Sequence, residues 1–276
     1  MKKKILIIGK KSFIGNNLFN YLKKKNINTL SINFRDFLKN YNILVNKYDF
    51  IINCSSNTKF VNNKYQVEKD NDLAIALKIV DTNSKLITLS TRKIYKSGFN
   101  IKEHDKKAPS CNYSKNKLIS ERSVKKILKN NSLILRMSNI VGLPSKSKRK
   151  LHKTFVDIFF DKAKKGLIYD NNNDSTYKDF ISIKKFCEII FQLMNKNANG
   201  IYNVSLGKKV YMTQIINWLN YYNKKKMKMI RLKKGFNNDI FTLNNRKLMN
   251  KIKIKNDLNE LKIECIKLSK KVFFKK

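Results

Sequence analysis

A short apolar run near the start of the chain, Ile5–Ile8, passes directly into GKKSFIG, a turn bounded by Gly9 and Gly15. It then continues into the helix-like stretch NNLFNYL. A strand feeding a tight turn and a helix N-terminus aims free N–H groups and the positive end of a helix dipole at one spot, which suits a pyrophosphate. Glycine occurs eight times in 276 residues, so it is kept where a turn or a close backbone approach requires it. Gly9, Ser12 and Gly15 stand three apart.

Beyond that turn the segments alternate. Strands are expected at 4 to 8, 28 to 33, 49 to 54, 85 to 91 and 133 to 139, and helices at 13 to 25, 65 to 80 and 113 to 129. Such alternation implies right-handed βαβ crossovers and an α/β fold with a doubly wound parallel sheet. After Gly142 the pattern loosens into LPSKSKRKLHK, then a helix-like stretch over 153 to 165. The segment YDNNNDSTYKDF reads as a loop before a helix over 182 to 195. From Asp257, the residues Leu258, Leu261, Cys265, Leu268 and Val272 fall at helical spacing. Residues 1–142 are expected to form the dinucleotide-binding domain and 143–276 a smaller substrate-binding lobe, with 180–205 returning to the first sheet.

The formal charge is +42, a balance that taken alone points to nucleic acid, an anionic membrane surface or a polyphosphate. The lysines are spread along the whole chain, and only seven of the 61 basic residues are Arg, the better base-reading side chain. Lys, Asn and Ile are abundant together, as codons rich in A and T would produce. No nucleic-acid partner and no membrane insertion are therefore expected. Cys54, Cys111, Cys187 and Cys265 lie far apart without a C-x-x-C pair or a His cluster, which excludes a zinc knuckle and a disulfide framework. A reducing, cytoplasmic setting is expected, and no metal.

Chemistry-bearing residues gather at one place. The strand-like run LITLST (86 to 91) ends on Thr91, where open α/β sheets place their ligands. Tyr113 opens a helix-like stretch preceded by Pro109 and Ser110, and Lys117 follows one turn later on the same face. Tyr/Lys spacing alone carries little, because the chain has five such pairs: Tyr21/Lys25, Tyr65/Lys69, Tyr113/Lys117, Tyr221/Lys225 and Tyr222/Lys226. Only Tyr113 follows a strand end bearing a hydroxyl. A hydroxyl, a phenol and an ammonium so placed can handle one proton at one carbonyl, with the ammonium expected to acidify the phenol.

The order of blocks resembles the extended short-chain dehydrogenases/reductases: GKKSFIG, INCSS (52 to 56), Asn71, LSTRKIY, Pro109 before YSKNKLISE, LRMSNIVG, KDFI and GIYNVSLGK. It is most similar to nucleotide-sugar reductases of the dTDP-4-dehydrorhamnose reductase type and to sugar 4-epimerases. The resemblance implies Thr91, Tyr113 and Lys117 as the catalytic set, and Gly9, Ser12, Phe13, Ile14 and Gly15 as the dinucleotide loop. Cys54, Ser55 and Ser56 would border the adenosine, and Lys117 would also hold the ribose. Asn139 and Lys178 would meet the substrate. Lys178 stands where an arginine is usual, keeping the charge and losing the bidentate fork.

At the end of the second strand, Asn33 occupies the place of the acidic residue that selects NAD, with Arg35 nearby, so NADP is preferred over NAD. Arg92 and Lys93 follow Thr91 where dehydratases carry Asp-Glu, which disfavours loss of water. The expected activity is a 4-keto-sugar reductase acting on a nucleotide sugar, with a homodimer as a possible assembly. The alternatives are a 4-epimerase with tightly bound NAD, or a dinucleotide-sensing or nucleic-acid-binding protein on the same fold.

Overall fold

The computed structural model describes residues 3–142, 154–170, 176–225, 228–231, 240–255 and 257–274. Six strands form one parallel sheet: β1 (Lys4–Ile8), β2 (Asn28–Ile32), β3 (Phe50–Asn53), β4 (Lys85–Thr91), β5 (Ser132–Met137) and β6 (Gly200–Val204). Their order across the sheet is β2-β1-β3-β4-β5-β6. The chain order reverses between β1 and β3, which opens a crevice outside their C-terminal ends.

The pleat decides which helices cover which face. Ile5 and Ile7 of β1 pack with Leu18 and Leu22 of α1 (Phe13–Lys24), and with Phe186, Ile189 and Leu193 of a helix further along the chain. Leu6 and Ile8 point the other way, onto Phe37 of α2 (Phe34–Leu44) and, after the short α3 (Thr58–Asn62), onto Ile75 and Ile79 of α4 (Asn71–Ile79). Val124 and Leu128 of α5 (Asn112–Leu128) complete that layer. Both faces are covered, which is why the strands read as continuous apolar runs. Each fully buried Ile or Leu contributes about 1.5–3 kcal/mol.

A second core gathers Phe160 of α6 (Phe155–Ala163), Leu219 of α8 (Met212–Asn220) and Leu261, Cys265 and Leu268 of α10 (Leu258–Phe273) around Phe180. Between them in the chain, α7 (Ile183–Asn195) carries Phe186 and belongs to the first core, while α9 (Arg246–Lys251) packs near β6.

Several elements differ from the sequence expectation. The helix α2 was not anticipated, although Phe34, Phe37, Tyr41 and Leu44 line its inner face. The helix expected over 65–80 begins at Asn71, because the Asp70 carboxylate accepts from the N–H groups of Asp72 and Leu73 at 3.0 and 3.1 Å and caps it there. Part of the segment expected as loop is extended: Leu167–Asp170, Tyr177–Lys178, which pairs with Val210–Tyr211, and Phe180–Ser182, which pairs with Asn139–Val141. The strand Gly98–Ile101 pairs with Phe241–Leu243. The loosened stretch 143–153, residues 171–175 and Lys226 lie outside the described residues.

Asp179 ties these pieces together. It is fully buried and accepts from the N–H groups of Leu206, Gly207 and Leu243, each at 3.1 Å. Burial pushes its carboxyl up, against the pull of those donors, to about 7. A folded-state value above the unfolded one means that the folded protein holds the proton more tightly. Stability from this group is full at low pH and is lost as pH rises from about 3.8 through about 7. Urea unfolding at pH 5 and pH 8 should therefore show lower stability at pH 8, and Asp179→Asn should remove that difference.

Candidate active site

The first turn is shaped by what cannot fit in it. Gly9 has φ +112, and a methyl group built on it would lie 2.7 Å from the carbonyl carbon of Cys54. A methyl group on Gly15 would lie 2.5 Å from the Gly9 carbonyl oxygen. These contacts let β1, α1 and the end of β3 converge. Ser12 is the N-cap of α1: its hydroxyl accepts from the Gly15 N–H at 3.0 Å. Gly15 thus serves packing, and its N–H is already engaged. The N–H groups of Phe13 and Ile14, first in the helix, are those that face outward by position. A glycine at position 12 would have left α1 without this cap, which accounts for the serine.

At the end of β3 the polar groups are joined. Asn53 Oδ1 accepts from the Ser55 N–H at 2.9 Å and the Ser55 hydroxyl at 2.6 Å, and Asn71 donates to the Ser55 hydroxyl at 2.8 Å. Cys54 packs against Gly15, and burial pushes its thiol far up, so it is inert. The Ser56 hydroxyl is buried without a partner among the described residues. At the far edge, Asn33 precedes α2 and donates to Asp36 at 3.1 Å. An acid therefore also stands near the end of β2, beside Arg35.

Thr91, Tyr113 and Lys117 come together. Thr91 ends β4, where its hydroxyl accepts from the Lys93 N–H at 3.2 Å, leaving its own proton for another acceptor. It lies near enough to the Tyr113 phenol to draw that group's pKa down. Tyr113 sits in the first turn of α5, whose N-cap is Cys111; Lys117 is buried one turn further on. Asn116 fastens this helix by donating to the carbonyls of Phe60 and Asn63 at 2.7 and 2.9 Å. Tyr113, Cys111, Asn112, Lys93 and Ser56 line a cleft of about 460 Å³. Burial opposes ionisation of Cys111, yet hydrogen bonds from Ser114 and the charge of Lys93 bring its thiol below its ordinary value.

The phenol is not acidified as the sequence suggested. Burial pushes Tyr113 above its ordinary value; Lys117 pulls down, Asp72 and Cys111 push up, and Thr91 pulls down. The causes that sequence reasoning missed are burial itself and Asp72, buried on α4, whose Oδ2 lies 2.8 Å from Lys117 Nζ while its Oδ1 accepts from Asn53 Nδ2 at 2.7 Å. Burial lowers the Lys117 pKa, but Asp72, Tyr113 and Asp70 raise it further, so the ammonium keeps its proton. A signal was available: Asp72 shares a helix face with Ile75, Ala76 and Ile79, an acid on an otherwise apolar stripe.

Asn139 and Lys178 lie on neighbouring segments beyond β5. Asn139 is the Cα partner of Phe180 and follows by two residues Met137, the Cα partner of Thr91. They therefore share the C-terminal end of the sheet with the catalytic candidates. A larger depression of about 830 Å³ opens elsewhere along α5 between Arg122, Lys125, Lys102 and Arg246, and no candidate site residue lines it. Among the described residues no group of His, Cys, Asp or Glu is gathered to hold a metal ion, and no helix is long and apolar enough to cross a membrane.

Residues 2–222 match the family model described as the RmlD substrate binding domain. Among solved structures, the chain is similar to a UDP-N-acetylglucosamine 4-epimerase from Methanobrevibacter ruminantium M1 in complex with UDP-N-acetylmuramic acid, at 18% identity and a TM-score of 0.78, covering 99% of both chains. A dTDP-4-dehydrorhamnose reductase from Clostridium acetobutylicum gives 16% and 0.75, covering 95% of this chain and 97% of that one. A dTDP-glucose 4,6-dehydratase from Bacillus anthracis in complex with NAD gives 16% and 0.74, covering 98% and 97%. No curated protein sequence matches the chain. At these identities the solved structures establish a common fold.

Proposed function

The chain belongs to the RmlD substrate binding domain family, among the extended short-chain dehydrogenases/reductases, and on that premise we propose that it is an NAD(P)-dependent enzyme of nucleotide sugars, a 4-keto-sugar reductase. One observation carries this reading. The Thr91 hydroxyl, the Tyr113 phenol and the Lys117 ammonium are brought together at the end of β4 beside a cleft, and burial pushes the phenol above its ordinary value. Such a hydroxyl, phenol and ammonium can orient a carbonyl and give it a proton, which is what reduction of a keto-sugar requires of the protein.

The dinucleotide fits the residues present. The converging backbones at Gly9 and Gly15 leave room for phosphate and none for side chains, and the N–H groups of Phe13 and Ile14 would face it. Cys54, Ser55 and Ser56 would border its adenosine. Arg35 suits a 2′-phosphate and Asp36 a free 2′-hydroxyl, so NAD and NADP both belong in the test. When bound, the reduced nicotinamide supplies the hydride. Thr91 donates to the substrate carbonyl and orients it, Tyr113 gives its proton to the oxygen as the carbon is reduced, and Lys117 stabilises the phenolate left behind until solvent restores the proton. We assign Asn139, near the end of the dinucleotide-binding domain, and Lys178, in a substrate lobe drawn from residues 143–276, to the sugar and its diphosphate.

Mass spectrometry of any co-purifying nucleotide, followed by a screen of NADH and NADPH oxidation against 4-keto nucleotide sugars, tests this. Consumption of added reduced cofactor with formation of the 4-hydroxy sugar is expected. Tightly held NAD together with interconversion of UDP-sugars would make the protein a 4-epimerase instead. Steeply salt-dependent binding of duplex nucleic acid without turnover would overturn the enzyme reading.

A further inference from the structure

Asp72 is the second residue of α4, and sequence patterning alone would place an apolar side chain there. Instead a carboxylate is 3% exposed in the core between α4, α5 and β3. Leaving a charge there unpaired would cost several kcal/mol, and both of its oxygens are engaged. Oδ2 faces Lys117 at 2.8 Å and Oδ1 takes a hydrogen bond from Asn53 at 2.7 Å. Through Asn53 the connection continues to Ser55 and Asn71 at the end of β3. A ring at 5.5 Å, Phe60, covers Lys117 from another side.

Lys117 is the group that would draw the proton off Tyr113. Burial already favours the neutral phenol, and a carboxylate against the lysine offsets part of its pull, because the phenol then sees an ion pair and not a lone ammonium. Resting on the function proposed above, we infer that Asp72 is a positioning residue that holds Lys117 in place, offsets part of its charge, and so leaves Tyr113 a better proton donor to a carbonyl than a lone lysine would. The groups that face Tyr113 are Lys117 on its own helix, Asp72 on α4, Cys111 at the helix cap and Thr91 on β4. Lys117 in turn faces Asp72, Asp70 and Tyr113. Asp70 is committed elsewhere: it caps α4 and accepts from Tyr65 and Ser120, each at 3.0 Å. Of the acids in this cluster, Asp72 alone touches the lysine.

The test needs neither substrate nor cofactor. Ring-labelled [13C]tyrosine reports ionisation of each phenol by NMR, and Tyr113→Phe identifies the Tyr113 signal. In Asp72→Asn the Tyr113 phenol should ionise at least about one pH unit lower than in the parent, the shift expected when one nearby charge is removed. In Asp72→Glu, which keeps the charge, it should stay near the parent value. Ionisation of Tyr113 at the parent pH in Asp72→Asn would overturn the inference. Should Asp72→Asn fail to fold, Asp72→Ser carries the test in its place, and ionisation of Tyr113 at the parent pH there would overturn the inference equally. The two readings separate cleanly. A protein that shows the expected titration but binds no dinucleotide keeps this inference and loses the reductase.

Discussion

Replacing Tyr113 with phenylalanine is expected to lower the turnover of a keto-sugar substrate roughly 10²–10⁴-fold, the usual yield of a positioned proton donor. The ring is retained, so the cleft keeps its wall and the first turn of α5 keeps its packing. Dinucleotide affinity should be unchanged, since the groups that would hold the pyrophosphate are on α1. Steady-state kinetics beside a binding titration check both halves. Turnover equal to the parent would show that the proton comes from elsewhere, and a lost affinity with normal turnover would place Tyr113 in binding. Thr91→Val should give a smaller loss, because the phenol proton remains and only the orienting hydroxyl is gone.

The second large effect concerns stability. Arg136 is buried in β5 and forks onto Glu121 of α5, with Nε 3.1 Å from both carboxylate oxygens and an Nη at 2.6 Å. Its other Nη donates to the Tyr95 phenol at 2.7 Å and the Glu103 carbonyl at 2.8 Å, and Tyr95 donates to Asn203 of β6 at 2.9 Å. Ser90, beside Thr91, donates to Glu121. Arg136→Leu would strand the Glu121 carboxylate in the core with Ser90 as its remaining partner, a loss of about 3–5 kcal/mol. Joint replacement, Arg136→Met with Glu121→Leu, should recover most of it, because an apolar pair carries no desolvation cost. Equilibrium urea unfolding of the three proteins measures this. A single variant that loses less than about 1 kcal/mol would mean that water reaches Glu121. The same change should reduce turnover, since Glu121 follows Lys117 by one turn and Ser90 adjoins Thr91.

The parts of the fold visible in the sequence were those written in local pattern. β1, α1, β4 and α5 follow from apolar runs, from glycines where a side chain would meet backbone, and from the spacing of Thr91, Tyr113 and Lys117. The helix α2 escaped because its charged and Asn-rich surface hides an inner face of only four side chains, Phe34, Phe37, Tyr41 and Leu44. The start of α4 was misplaced because its decisive signal is a cap at Asp70, and the short strands 98–101 and 177–178 are formed by distant partners. The site divides similarly. The three catalytic candidates were legible as a set, but the state of the phenol was not. It depends on burial of the phenol and on Asp72, 41 residues before Tyr113 in the chain, brought in by the crossover between β3 and β4.

The edge of the sheet carries a consequence for handling the protein. β5 is flanked by β4 on one side and β6 on the other, and β6 is contributed by residues 200–204. A polypeptide stopped after Gly142 would present Leu133, Ile134 and Leu135 along an unsealed border of free N–H and C=O groups, a template for association between copies. Fragments meant for dinucleotide studies need that last strand and the helix before it, or they will be recovered as aggregates.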